Sequence, residues 1–195
     1  MTELIANVSL LEWIAVAGGL GYVLLAAREH IACWVFAVIG TGASIAMLWR
    51  VDLLMDTALN GFYLVMAVYG YWQWRYGGNN KRARAIRVWP ASTHVGVIVG
   101  IVGLSLMFGY GLSQTSQAAW PYLDSATTVA AIVTTYMVAT KVLENWLYWV
   151  VIDAVSIWIY VERGIYLYAL LFIAYTVIAL YGYWHWRRRY QQGAQ

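Results

Sequence analysis

One acidic side chain sits where acids are rarely tolerated. Asp153 lies nine residues from both Glu144 and Glu162, with no other charge between them, at the centre of an apolar stretch. At the middle of a membrane helix an aspartate costs about 2.5–3.5 kcal/mol before it finds a partner. Two readings follow: the carboxylate faces an aqueous cavity and attracts a cationic or hydroxyl-rich solute, or it makes a helix-packing hydrogen bond in protonated form. Intramembrane acids are functional by default, which favours the first. Trp146, Trp149, Asp153, Ser156 and Tyr160 follow at steps i, i+3, i+7, i+10 and i+14, one face of a helix. Trp149 stands one turn in from the helix end, toward Asp153. There an indole face stacks on a flat or cationic ring for about 0.5–2 kcal/mol. Trp146 is read equally well as a belt residue or as a ring contact.

Three further stripes share this character. Asp56, Asn60, Tyr63 and Ala67 run toward Trp74, and Tyr168, Phe172, Tyr175 and Ala179 run toward Trp186. Asp124, Thr128, Ala131 and Thr135 form the third. Polar and aromatic faces in membrane helices turn toward protein or water, and one shared cavity accounts for all of them. Trp72, Trp74, Trp184 and Trp186 stand beside arginines and read as interfacial belt residues. Glu12 reads as a carboxylate favouring a helix N-terminus.

The elements that must hold these faces are apolar helices. With 63% hydrophobic and 11% charged residues, the chain is a polytopic membrane protein. A bilayer core needs about 20 apolar residues per helix, which gives spans near 9–27, 31–49, 53–74, 91–112, 123–141, 145–161 and 165–186. The stretch Met1 to Leu10 lacks the basic region of a signal peptide, so the first span is expected to stay. Residues 34–75 recur at 146–187, shifted by 112 without a gap: the run Tyr69-Gly70-Tyr71-Trp72-Gln73-Trp74-Arg75 meets Tyr181-Gly182-Tyr183-Trp184-His185-Trp186-Arg187. The expected architecture is an all-α membrane protein of seven transmembrane helices in a 3+1+3 parallel pseudo-repeat. Its parts are a first three-helix bundle over 9–74, a basic loop over 75–90, a linker helix over 91–112, a second bundle over 123–186 and a basic tail over 187–195. Gly96, Gly100 and Gly103 are expected to let the linker helix lie close to its neighbours. Placing the basic loop and tail in the cytoplasm leaves only Arg50 and Arg163 of the twelve basic residues outside, so the N-terminus is expected outside and the C-terminus inside.

Several chemistries drop out. Cys33 is the single cysteine, and His30, His94 and His185 have no ligand spacing, so neither a disulfide framework, a metal nor another cofactor is implied. The net charge of +3 marks topology here, not nucleic acid. A retinal protein needs a lysine in its last helix, but the lysines are Lys81 and Lys141. An intramembrane enzyme needs a nucleophile and base or a metal set on facing helices, and Asp153 with Ser156 supplies neither. A transporter remains, either a uniporter or a proton-coupled symporter using Asp153.

The stretch Glu144-Asn145-Trp146-Leu147-Tyr148-Trp149, with Ser156, Gly164, Tyr69-Gly70, Trp74, Asp124-Ser125 and Glu12, resembles the PnuC family of vitamin transporters. The resemblance runs over nearly the whole chain. It implies a multi-pass protein of the bacterial inner membrane, distantly like the SWEET sugar transporters and usually a homotrimer. Transport is by facilitated diffusion, with a cytoplasmic kinase trapping the vitamin by phosphorylation. Nicotinamide riboside is the best-known solute, and relatives carry thiamine or riboflavin. By motif, Trp146 and Trp149 hold the aromatic ring, while Asn145, Asn60 and nearby polar groups, Ser156, Tyr63, Thr128 and Tyr175 among them, bond the rest. The nicotinamide riboside pattern has an amide in place of Asp153 and an asparagine near Gly40-Thr41. An acid beside tryptophans suits a flat cation, nicotinamide riboside or thiamine, better than neutral riboflavin.

Overall fold

In a computed structural model, which describes residues 9–50, 52–115 and 120–193, seven α-helices account for most of the described residues. They are α1 (Leu10–Ala27), α2 (Cys33–Arg50), α3 (Leu54–Tyr76), α4 (Ala91–Thr115), α5 (Pro121–Ala139), α6 (Asn145–Glu162) and α7 (Tyr166–Gly193). A 3-10 turn, Asn79–Lys81, interrupts the basic loop. Residues 1–8 and the last two of the basic tail lie outside the described residues. Four helices, α1, α2, α4 and α7, are long and apolar enough to cross a membrane. The other three carry the polar stripes, with Asp56 and Asn60 on α3, Asp124 and its threonines on α5, and Asp153 and Asn145 on α6.

Local chemistry sets the helix ends. Ser9 caps α1 and forms a capping box with Glu12, whose carboxylate accepts the Ser9 N–H, as a first-turn acid favours. Pro121 opens α5, where its missing N–H costs nothing. Four helices end alike. After α1, Glu29 takes φ 57° and the His30 N–H donates to Leu25 O at 2.9 Å. After α5, Lys141 takes φ 51° and the Val142 N–H donates to Met137 O at 2.9 Å. After α2 and α6, Asp52 and Gly164 take φ 56° and 70°, with Leu53 and Ile165 donating back to Leu48 and Tyr160. These are left-handed helix caps that satisfy terminal carbonyls, and each turn of the first half recurs 112 residues on in the second.

The chain forms two compact units that divide inside the basic loop, between Ala85 and Ile86. In the first, α2 packs on both α1 and α3. In the second, α4 packs on α5, α5 on α6 and α6 on α7. Close approaches fall at glycines other than those expected. A Cβ at Gly96, Gly100 or Gly103 would meet nothing within 4 Å, so these glycines bring α4 onto no described neighbour. The tight contact is between α1 and α2, where a Cβ on Gly18 would stand 2.5 Å from the Gly40 Cα. Only the absence of side chains lets those two backbones meet.

Gly18→Ala therefore forces α1 and α2 apart. It should cost about 1–3 kcal/mol, read as a lowered melting temperature of the detergent-solubilised protein, whereas Gly42→Ala, which faces open space, should melt with the wild type.

Candidate substrate site

The α6–α7 contact begins with an indole wedged on a glycine. Trp146 is 2% exposed, and its ring covers Gly182 so closely that a Cβ there would lie 2.8 Å from it. Trp186 meets the same indole edge-on, with ring centroids 5.5 Å apart and an interplanar angle of 86°. In the first unit Trp34 covers Gly70 in the same way and meets Trp74 at 5.4 Å and 88°. Trp34, Gly70 and Trp74 are the residues 112 positions before Trp146, Gly182 and Trp186. Trp74 and Trp186 are thus core residues, buried to 2% and 0% exposure, not belt residues; Trp72 and Trp184 are exposed as a belt requires. The indole N–H groups of Trp34 and Trp146 are both buried without a hydrogen-bond partner.

From this wedge α6 presents its stripe. Asp153 is buried at 3% exposure and lies within electrostatic range of Tyr175 on α7. Trp149, one turn earlier, is half-buried. Ser156 is buried, and its hydroxyl donates to Ile152 O at 2.9 Å, leaving its lone pairs free to accept. Tyr160 packs at 5.3 Å against both Tyr168 and Phe172, and Phe172 meets Tyr175 at 5.8 Å. The aromatic stripe of α7 therefore packs against the distal half of the α6 stripe.

The remaining predicted residues are placed less simply. Asn145 is fully buried; its amide donates to Val142 O at 2.7 Å, which braces the α5–α6 turn, while its Oδ1 has no partner. Thr128 is exposed on α5, and no hydrogen bond joins it to α6 among the described residues. Its neighbour Thr127 donates within the helix, to Leu123 O and Asp124 O. Asn60 and Tyr63 belong to the first unit. Both are half-buried, and the Asn60 amide donates to Asp56 O at 2.9 Å. Sequence reasoning missed Tyr22 on α1, whose ring lies 5.6 Å from that of Trp34. It also passed over Glu144, Tyr148 and His94, which meet at the start of α6. An acid and a tyrosine at i and i+4 flanking Asn145-Trp146 were the available signal.

Arg163 lies 3.9 Å from Asp124 and 5.4 Å from the Trp120 ring. No cluster of metal-ligating side chains occurs among the described residues. What α6 and α7 offer is a buried acid, a half-buried indole and phenol groups.

Residues 9–188 match the family described as nicotinamide mononucleotide transporter. The chain belongs to that family. Among its relatives, the nicotinamide riboside transporter PnuC of Escherichia coli K12 is 28% identical over 204 residues, covering 90% of this chain and 85% of the relative. The protein of the same name from Haemophilus influenzae is 28% identical over 189 residues, covering 91% and 80%. The crystal structure of the vitamin B3 transporter PnuC superposes with a TM-score of 0.70 at 19% identity, over 92% of this chain and 83% of that one, and shows a shared fold. The resemblance carried by Glu144-Asn145-Trp146 and the helix patterns thus names the right family, one of membrane transporters.

In this transporter Gly182→Ala should displace the Trp146 indole and lower the melting temperature. Loss of near-ultraviolet circular dichroism from the Trp146–Trp186 pair at unchanged helix content is the expected signature. An unaltered aromatic spectrum would mean that the wedge is not what fixes the ring.

Proposed function

We propose that the chain takes up nicotinamide riboside across a bacterial inner membrane by facilitated diffusion. The observation that carries this reading is Asp153, buried at mid-helix beside a half-buried Trp149 and in range of Tyr175. Nicotinamide riboside is a flat cation bearing hydroxyls. A carboxylate attracts its charge, an indole face stacks on its ring for about 0.5–2 kcal/mol, and phenol and amide groups bond its ribose. The relatives that carry the name of this solute support the same reading.

The proposal extends to architecture. The 112-residue correspondence of helix ends, caps and tryptophan wedges supports a 3+1+3 plan related to the SWEET transporters, with bundles over 9–74 and 123–186 joined by the linker helix. These bundles rock to expose the solute to each side in turn. The basic loop and tail mark the cytoplasmic side, which puts the N-terminus outside. A cytoplasmic kinase traps the vitamin, and the protein assembles as a homotrimer. Trp149, Asp153 and Tyr175 contact the solute directly. Trp146 sits behind them on its glycine; Asn145, Ser156 and Thr128 are the further polar contacts of the second unit, and Asn60 and Tyr63 are the candidates of the first.

Thiamine is the second solute to test, since it too is a flat cation and Asp153 stands where the nicotinamide riboside pattern has an amide. In proteoliposomes the wild type should exchange labelled nicotinamide riboside in counterflow; exchange of thiamine alone would reassign the solute, and exchange of neither would remove the proposal. Trp149→Ala should weaken apparent affinity roughly 2- to 30-fold, the value of one cation–π contact. Asp153→Asn should lower the preference for cationic over neutral vitamins, and an unchanged preference would deny the carboxylate its role. Uptake that stops at equilibrium without the kinase fits a uniporter, whereas accumulation driven by a pH gradient would indicate a symporter.

A further inference from the structure

A second cluster of polar side chains lies at the start of α6. The segment leading into α4 is stitched to the α5–α6 turn: the Arg87 N–H donates to Lys141 O at 2.9 Å, the Leu143 N–H donates to Arg87 O at 2.8 Å, and Arg87 Nε donates to Thr140 O at 3.2 Å. Two residues on, the Trp89 N–H donates to the Glu144 carboxylate at 3.4 Å. The first turn of α4 then brings His94 between Glu144 and Tyr148. Its Nε2 lies 3.8 Å from the Glu144 carboxylate and its Nδ1 lies 3.0 Å from the Tyr148 hydroxyl. The imidazole is flanked by the Trp89 and Tyr148 rings, each 5.8 Å away. His94 and Glu144 are 18% and 16% exposed, so the contact is largely shielded from water.

Three features argue against an incidental surface contact. Glu144 and Tyr148 are one helical turn apart, so His94 bridges two points on a single face of α6. The positions 112 residues earlier are Ala32 and Phe36, which carry no polar group. The cluster therefore exists only in the half that carries Asp153, although the helix caps and tryptophan wedges occur in both. Finally, Trp149 follows Tyr148 directly and Asp153 lies five residues on, in the same unbroken helix. A slip of one residue along α6 would rotate both by about 100°.

We propose that His94, Glu144 and Tyr148 are positioning residues that lock the first turn of α6 to the root of α4 and so fix the height and rotation of Trp149 and Asp153. This rests on the reading that those two side chains hold the solute. The groups facing His94 are Glu144 and Tyr148 from α6 and Trp89 from its own segment, with the Arg87 guanidinium behind, 5.9 Å from the Trp89 ring. His94 Nδ1 and the Tyr148 hydroxyl share one hydrogen bond, and the Glu144 carboxylate lies opposite the other ring nitrogen while accepting the Trp89 N–H, so the three side chains and the root of α4 are held as one unit.

The test uses the full-length protein, with His94→Gln and Tyr148→Phe, in two measurements. In proteoliposomes both variants should raise the KM for nicotinamide riboside about three- to tenfold, the weight of one hydrogen bond, with Vmax within about twofold. In detergent both variants should melt below the wild type, since each loses the hydrogen bond between His94 and Tyr148. If His94→Gln does not fold, Tyr148→Phe, which removes only a hydroxyl, still reads the KM. Variants with the wild-type KM, or with reduced Vmax at unchanged KM, would overturn the proposal, as would variants that melt with the wild type. A wild type that carries no nicotinamide riboside defeats the solute reading alone; the melting temperatures then decide the lock, lowered in both variants for it and unchanged against it.

Discussion

Lipid cannot solvate a carboxylate, and this constraint organises the second half of the chain. Asp153 sits at the middle of α6, buried to 3% exposure. Hydrocarbon offers it neither hydrogen bonds nor a countercharge. The face of α6 that bears it must therefore turn toward protein or water, and the rest of that face follows suit. Trp146 locks onto Gly182, Tyr160 packs on Tyr168 and Phe172, and Tyr175 comes within electrostatic range of the acid. Apolar side chains such as Val151, at 64% exposure, take the opposite face.

Comparing positions 112 apart separates scaffold from chemistry. The pairs Trp34 and Trp146, Gly70 and Gly182, and Trp74 and Trp186 repeat in type and in geometry. Ser44 and Ser156 repeat too, each donating one turn back, to Gly40 O and Ile152 O. Among the pairs that differ are Ala37 against Trp149, Thr41 against Asp153, Cys33 against Asn145, and Asn60 against Phe172. What repeats is what packs one helix on the next, α2 on α3 and α6 on α7. The residues that differ give the two halves different surfaces on similar frames.

The helices and the family were legible in the sequence because hydropathy and spacing are local properties. The boundaries expected for α1 and α6, 9–27 and 145–161, fall within a residue of Leu10–Ala27 and Asn145–Glu162. Burial was harder to read. Trp74 and Trp186 look like interfacial residues because arginines follow them, yet each stands four residues after a glycine, on the same helix face. That glycine admits an indole from the neighbouring helix, and the pair then covers the second tryptophan. Gly96, Gly100 and Gly103 show the converse, a packing pattern with no described partner. The junction of His94 with Glu144 and Tyr148 joins residues about fifty positions apart, and no periodicity within either helix points to it.

The central claim is that Asp153 faces water and solute, and thiol accessibility tests it most directly. Cys33 is the chain's single cysteine and is buried, so it is readily replaced by alanine to give a silent background. In that background, Asp153→Cys in intact membranes should react with a charged, membrane-impermeant thiol reagent, and nicotinamide riboside should protect it. Reaction only with a lipophilic reagent, or with none, would mean that the position faces lipid or a dry contact, and the account would be wrong.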